Sequence, residues 1–143
     1  MMFSNKSPNP ATGQPGGGDE PSRKGRELRV LIVEDEFFIA LDAQEKVESQ
    51  GHSVVGVAVS ASQALEMVAQ EKPDIVLMDI RLLGEPDGIS AAESIDRLHG
   101  IRSLFVTANT DPSTLERARR INPIGILHKP LNARQLKEAL DTL

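Results

Sequence analysis

Cysteine, tryptophan and tyrosine are absent from the 143-residue chain, and phenylalanine occurs only four times. Without cysteine there is no disulfide framework, no thiolate zinc site and no thiol nucleophile, which fits a reducing compartment and makes the cytoplasm the expected location. The shortage of aromatic rings removes the platforms on which single-stranded bases stack. Long apolar runs are missing as well: none approaches the roughly 20 residues needed to span a bilayer. The N-terminus also lacks the basic-then-apolar order of a secretory signal. The net charge of -5 is unevenly spread, because residues 1–26 carry four Lys/Arg and two Asp/Glu, leaving residues 27–143 at -7. An acidic folded part argues against nucleic acid as a partner. The expectation is a soluble protein that binds neither DNA nor membrane.

Residues 1–26 are rich in Pro, Gly, Ser and Asn ("SPNPATGQPGGGDEPS") and show no apolar periodicity. They cannot offset their ordering entropy by burial and are expected to form a disordered tail. From residue 27 the texture changes to short apolar runs alternating with helix-like segments, the pattern of βα units around a parallel sheet. Strands are predicted at 28–33, 54–58, 75–78, 101–107 and 124–127. Helices are predicted between and after them: Ile39, Ala40, Ala43 and Val47 share a helical face that ends at Gly51. Ser60 is a candidate N-cap, and Asp87-Gly88 opens a helix with Ile89, Ala92, Ile95 and Leu98 on one face, closed by Gly100. Asp111-Pro112 starts a fourth helix, and Asn132 a fifth with Leu136 and Leu140. Strands apolar on both faces need helices on both sides. The fold class is therefore α/β, a doubly wound (βα)5 three-layer sandwich.

In such sheets functional groups gather outside the carboxyl ends of the strands. Strand one runs into Glu34-Asp35-Glu36, strand three into Asp79, strand four into Thr107 and strand five into Lys129. Singly, each has a plain explanation: acidic residues suit a helix N-terminus, Asp79 is a possible turn residue, Thr107 a β-branched strand residue, and Lys129 a solvated lysine. Together they place two or three carboxylates, a hydroxyl and an ammonium on one edge. Crowded carboxylates raise one another's pKa unless a cation joins them. An all-oxygen ligand set selects a hard cation, and Mg²⁺ suits it because it binds one or two carboxylates together with substrate phosphate oxygens. The chemistry this invites is phosphoryl transfer onto Asp79.

These residues resemble the receiver domain of two-component response regulators over residues 28–143. The resemblance implies a flavodoxin-like sheet of order 2-1-3-4-5, Mg²⁺ held by the acidic pair Glu34 and Asp35 together with Asp79, and Asp35 as the more direct ligand of the pair. It implies that Asp79 accepts phosphate from a histidine kinase or histidine phosphotransfer protein. Thr107, with small Ala108 beside it, corresponds to the residue that binds the phosphoryl group. Lys129-Pro130 corresponds to the Lys-Pro after strand five, where a cis peptide is common. Phe105-Val106-Thr107-Ala108 partly resembles the Phe-Ala-Thr-Gly signature of a group of single-domain receivers, differing at its second and fourth positions.

Two departures stand out. The loop "DIRLLGEPDG" is one residue longer than the family's usual Asp-x-x-Met-Pro-x-Met-Asp-Gly and lacks the Met-Pro. Ile126 occupies the position of an aromatic that swings inward on activation. With no sequence after the fifth helix, the expected output is a single-domain regulator acting through its own surface or as a phosphate sink, and not an enzyme with turnover. A basic face of Arg117, Arg119, Arg120, Arg134 and Lys137 around Ile126, on helix four, strand five and helix five, is a candidate docking surface for a downstream protein. The alternative is a receiver-fold interaction module independent of phosphorylation. A Mg²⁺-dependent aspartate phosphatase is disfavoured, because Arg81 stands where its second, proton-donating aspartate would be. A flavodoxin-like cofactor binder lacks its phosphate-cradling Gly-rich turn after strand one.

Overall fold

A computed structural model describes residues 25–143 except 83, 85, 109 and 110. The expected tail therefore lies, up to residue 24, outside the described residues, as do two residues of the long loop after Asp79. Five strands, β1 (Arg29–Val33), β2 (Ser53–Ala58), β3 (Ile75–Met78), β4 (Ser103–Thr107) and β5 (Gly125–His128), alternate with five helices. The helices are α1 (Phe37–Ser49), α2 (Ala61–Glu71), α3 (Gly88–His99), α4 (Pro112–Arg120) and α5 (Ala133–Leu140). All pairings are parallel, in the order β2-β1-β3-β4-β5, with one register shift between Val30 and Leu31. Strands four and five begin later than their apolar runs do, because Ile101 and Ile124 sit in the approach to the sheet.

Side chains alternate across each strand, so one run of apolar residues supplies two cores. Leu31, Val33, Val76, Met78 and Phe105 pack with Ala64 and Val68 of α2, Ala92 and Ile95 of α3 and Ala118 of α4. Val30, Ile32, Ile75, Leu77, Leu104 and Val106 pack on the other face with Ala40 and Val47 of α1 and Leu136 and Leu140 of α5. This is the double winding in side-chain terms. The caps read from sequence are in place: Ser60, Asp87, Asp111 and Asn132 accept from the backbone N–H three residues on. Gly100 ends α3 with φ 69°, a left-handed conformation that glycine adopts without a Cβ penalty. At the far end of the sheet Arg29 donates to the carbonyls of Glu71 and Lys72, satisfying the last turn of α2.

One expected core residue is outside. Leu98 is 65% exposed, in the last turn of α3, which ends at His99. Removing Phe105, which is fully buried, by Phe105→Ala should cost about 3–5 kcal/mol, whereas Leu98→Ser should stay within about 0.5 kcal/mol. Urea denaturation of the two variants checks this, and equal losses would contradict the assignment of the core.

Candidate functional site

Backbone hydrogen bonds carry the ladders one residue past the strand ends and so place the site. Glu34 N–H donates to Ala58 O at 2.9 Å, Asp79 N–H to Val33 O at 3.0 Å and Lys129 N–H to Thr107 O at 2.9 Å. Each charged residue is thus held by the neighbouring strand at the moment its own strand stops. Glu34 and Asp79 are buried, 5% and 6% exposed, and Asp35 is half-buried beside them. Lys129 bridges the buried pair, its Nζ 2.8 Å from Glu34 Oε1 and 3.1 Å from Asp79 Oδ2. The remaining oxygens are also used: Glu36 N–H donates to Glu34 Oε2 at 3.1 Å, and Arg81 N–H to Asp79 Oδ1 at 3.2 Å.

Burial pushes the Glu34 carboxyl above the usual carboxylate range, and the nearby Asp79 charge adds to it, against the opposing bonds from Lys129 and the Glu36 N–H. Burial works in the lowering direction on Lys129, but its bonds to Glu34 and Asp79 outweigh it and hold its pKa above the ordinary lysine value. The ammonium is therefore a fixed positive charge between two carboxylates throughout the physiological range.

Carboxylate oxygens of Glu34, Asp35 and Asp79 lie within 4.8 Å of one another. Three oxygen donors at that spacing, with no nitrogen or sulfur ligand, fit a hard divalent cation such as Mg²⁺. Thr107 is buried at the end of β4, opposite His128 in register, and Ala108 after it is exposed. The Lys129-Pro130 peptide is cis. Ile126 is half-buried and packs into the core shared by α2, α3 and α4. The residues singled out at the strand ends thus gather at one edge, whereas Ile126 sits inside β5, three residues before Lys129 and paired in register with Phe105.

Three features were not read from sequence. A cavity of about 670 Å³, lined by Phe38, Ile39, Ala43, Val106, Pro130 and Leu131 among others, opens beside Glu34, Asp79 and Lys129. Phe37 and Phe38 stand 71% and 79% exposed at the start of α1, their rings edge-to-face at 5.2 Å. Their signal was there: adjacent helical residues point about 100° apart, and Ala40 and Val47 already claim the buried stripe. Third, the proposed basic face is largely paired, since Arg117 bonds Asp87, Arg119 and Arg120 lie near Glu116, and Lys137 bonds Asp141.

The sequence profile described as the response regulator receiver domain matches residues 30–141. The chain is 34% identical over 113 residues to the transcriptional regulatory protein PdtaR of Mycobacterium tuberculosis, covering 79% of this chain and 55% of that protein. It is 33% identical to the phyllosphere-induced regulator PhyR of Methylorubrum extorquens, covering 74% and 42%. The chain thus spans about half the length of these relatives. It is also 30% identical to the chemotaxis protein CheY of Bacillus subtilis, covering 79% and 94%. Among solved structures, the signal receiver domain of a modulated diguanylate cyclase from Desulfovibrio desulfuricans superposes with a TM-score of 0.78 at 34% identity, covering 82% and 93%.

Removing the bridging ammonium leaves two buried carboxylates facing each other. Lys129→Met should therefore destabilise the fold by about 3–5 kcal/mol at pH 7. Without the cation the buried Glu34 carboxyl, already raised by burial, loses a bond that lowers its pKa, so its folded pKa lies above the unfolded one and the deficit should shrink as the pH falls through the carboxylate range and it protonates. Urea denaturation at neutral and mildly acid pH checks the sign; a deficit that does not change with pH would contradict it.

Proposed function

The chain belongs to the response regulator receiver family, and from that premise we propose that Asp79 accepts a phosphoryl group from the phosphohistidine of a sensor histidine kinase or a histidine phosphotransfer protein. The observation that carries the reading is the convergence of buried Asp79 with Glu34, Asp35 and Lys129 on one sheet edge. In the transfer a carboxylate oxygen of Asp79 attacks phosphorus, the bond from phosphorus to imidazole nitrogen breaks, and the histidine leaves with the electron pair. The products are an aspartyl phosphate and a free imidazole.

Such a transfer asks for positioning and neutralised oxygens more than for acid-base chemistry. Lys129, already within hydrogen-bond reach of Asp79 Oδ2, would follow the negative charge onto the phosphoryl oxygens. Thr107, at the end of the neighbouring strand, would bind one of those oxygens through its hydroxyl. Glu34, Asp35 and Asp79 would hold Mg²⁺, with Asp35 the most accessible of the three. The metal, when bound, supplies positive charge on the transferring group and keeps several of its waters.

A protein donor has to bring its histidine to this edge. The exposed Phe37 and Phe38, next to a cavity that reaches Asp79, supply an apolar rim for it. Output would pass through the α4, β5 and α5 face, where Leu115, Asn122, Ile126 and His128 line a hollow of about 420 Å³. Binding there by a downstream protein is the signalling form of the reading; a phosphate sink is the form in which no such partner is engaged. Among the described residues no helix is long and apolar enough to cross a membrane, and the reading takes the cytoplasm as its compartment.

Wild-type protein incubated with Mg²⁺ and a small-molecule phosphodonor should gain one phosphate by intact mass, and Asp79→Asn none. A phosphate retained by Asp79→Asn would remove the assignment, and a wild type that takes none up would favour the phosphorylation-independent module. In the same assay the double substitution Phe37→Ser, Phe38→Ser should leave the small-donor reaction unchanged. It should slow transfer from a charged phosphotransfer protein by on the order of tenfold; equal rates would dismiss the aromatic rim.

A further inference from the structure

Little apolar contact holds α4 to the domain, since Ala118 is the buried residue among its nine. A charged tie takes its place. Arg117 Nη1 donates to Asp87 Oδ2 at 3.1 Å. The other oxygen of Asp87 accepts the Ser90 N–H at 2.9 Å and caps α3. One carboxylate therefore closes the first turn of α3 and grips α4. Burial works to raise its pKa, but the Ser90 N–H and Arg117 outweigh burial and hold it below the usual carboxylate range.

The next residue touches the other end of the path. A Cβ on Gly88 would lie 1.9 Å from the carbonyl oxygen of Asp79 and 2.9 Å from both the Asp79 carbonyl carbon and Ile80 Cα. These are backbone atoms, so no side chain can swing aside to make room. Gly88 N–H also donates to Ile80 O at 2.8 Å. The first turn of α3 is thus pressed against the peptide of Asp79 on one side and paired to α4 on the other. Arg81, two residues past Asp79, donates its N–H to Asp79 Oδ1 at 3.2 Å.

We propose that the first turn of α3 is the mechanical link between Asp79 and α4: Gly88 positions Asp79, and the Asp87–Arg117 pair carries its displacement to the helix. This rests on Asp79 being the phosphoryl acceptor. It supplies a route that needs no aromatic ring at Ile126. A part-exposed ion pair shifts populations modestly, so the link sets the size of the α4 response. Coupling free energy between two sites is reciprocal, so a partner that holds α4 would in turn alter how Asp79 is held.

The test uses the full chain, 15N-labelled, with Mg²⁺ and a small-molecule phosphodonor. Asp87→Asn keeps a good N-cap and removes the charge; Arg117→Gln removes the other half. Both should take up phosphate like wild type by intact mass. The phosphorylation-induced shifts of the amides of residues 115–120 should fall by on the order of threefold in each, and no further in the double variant. Full-sized α4 shifts in either single variant would overturn the link. Gly88→Ala should slow phosphorylation at saturating Mg²⁺ by on the order of tenfold. Gly56→Ala, whose methyl meets the flexible tip of Met67, should not slow it; a folded Gly88→Ala that reacts at the wild-type rate would overturn the positioning role. If Gly88→Ala fails to fold, the two charge variants still decide. A wild type that takes up no phosphate is a distinct outcome, removing the acceptor and the link together.

Discussion

The Lys129 ammonium between the buried carboxylates of Glu34 and Asp79 is the interaction on which the rest of the site depends. Two carboxylates this close and this buried repel and pay for desolvation, and a buried charge left without its partner is strongly destabilising. The sheet supplies the partner by geometry. Parallel strands β1, β3 and β5 all end at one edge, and each of the three residues is fixed there by a backbone bond to an adjacent strand. A site assembled in this way is preorganised: its charges are set by the fold itself. The cost is that the edge is electrostatically tense, with Glu34 pushed up by burial, and a further cation would relieve that tension. Metal binding and phosphoryl acceptance, as proposed, would be two uses of one buried arrangement of charge.

Much of this was legible in the sequence because parallel α/β folds write themselves in short apolar runs, and because a run such as Ile75–Met78 that stops on Asp79 marks a strand end with a purpose. Glu34, Asp79, Thr107 and Lys129 could each be assigned a strand end, and strand ends share an edge. What sequence did not show was mostly a matter of direction in space. Periodicity put Leu98 on the buried stripe of α3, yet in the last turn of the helix its side chain is exposed. The cluster of arginines on α4 read as one basic face, whereas Arg117 turns to Asp87, thirty residues away in the chain. The sharing of Lys129 between Glu34 and Asp79, and the contact of Gly88 with the Asp79 peptide, are likewise distances between elements that no local pattern encodes.

The relatives sharpen the reading and also bound it. Similarity to PdtaR and PhyR covers about half of those proteins, so what they share with this chain is the receiver itself. Around that shared part lie Ile126, at a position where the family often carries an aromatic, a loop after Asp79 one residue longer than the family's usual one, and two exposed phenylalanines beside the cavity. The most direct measurement locates the modified atom. After reaction with a phosphodonor, reduction with borohydride converts an aspartyl phosphate to homoserine, and peptide mass mapping then finds the converted residue. The account predicts homoserine at position 79 alone; homoserine at any other position, or none in a protein that has gained phosphate, would contradict it.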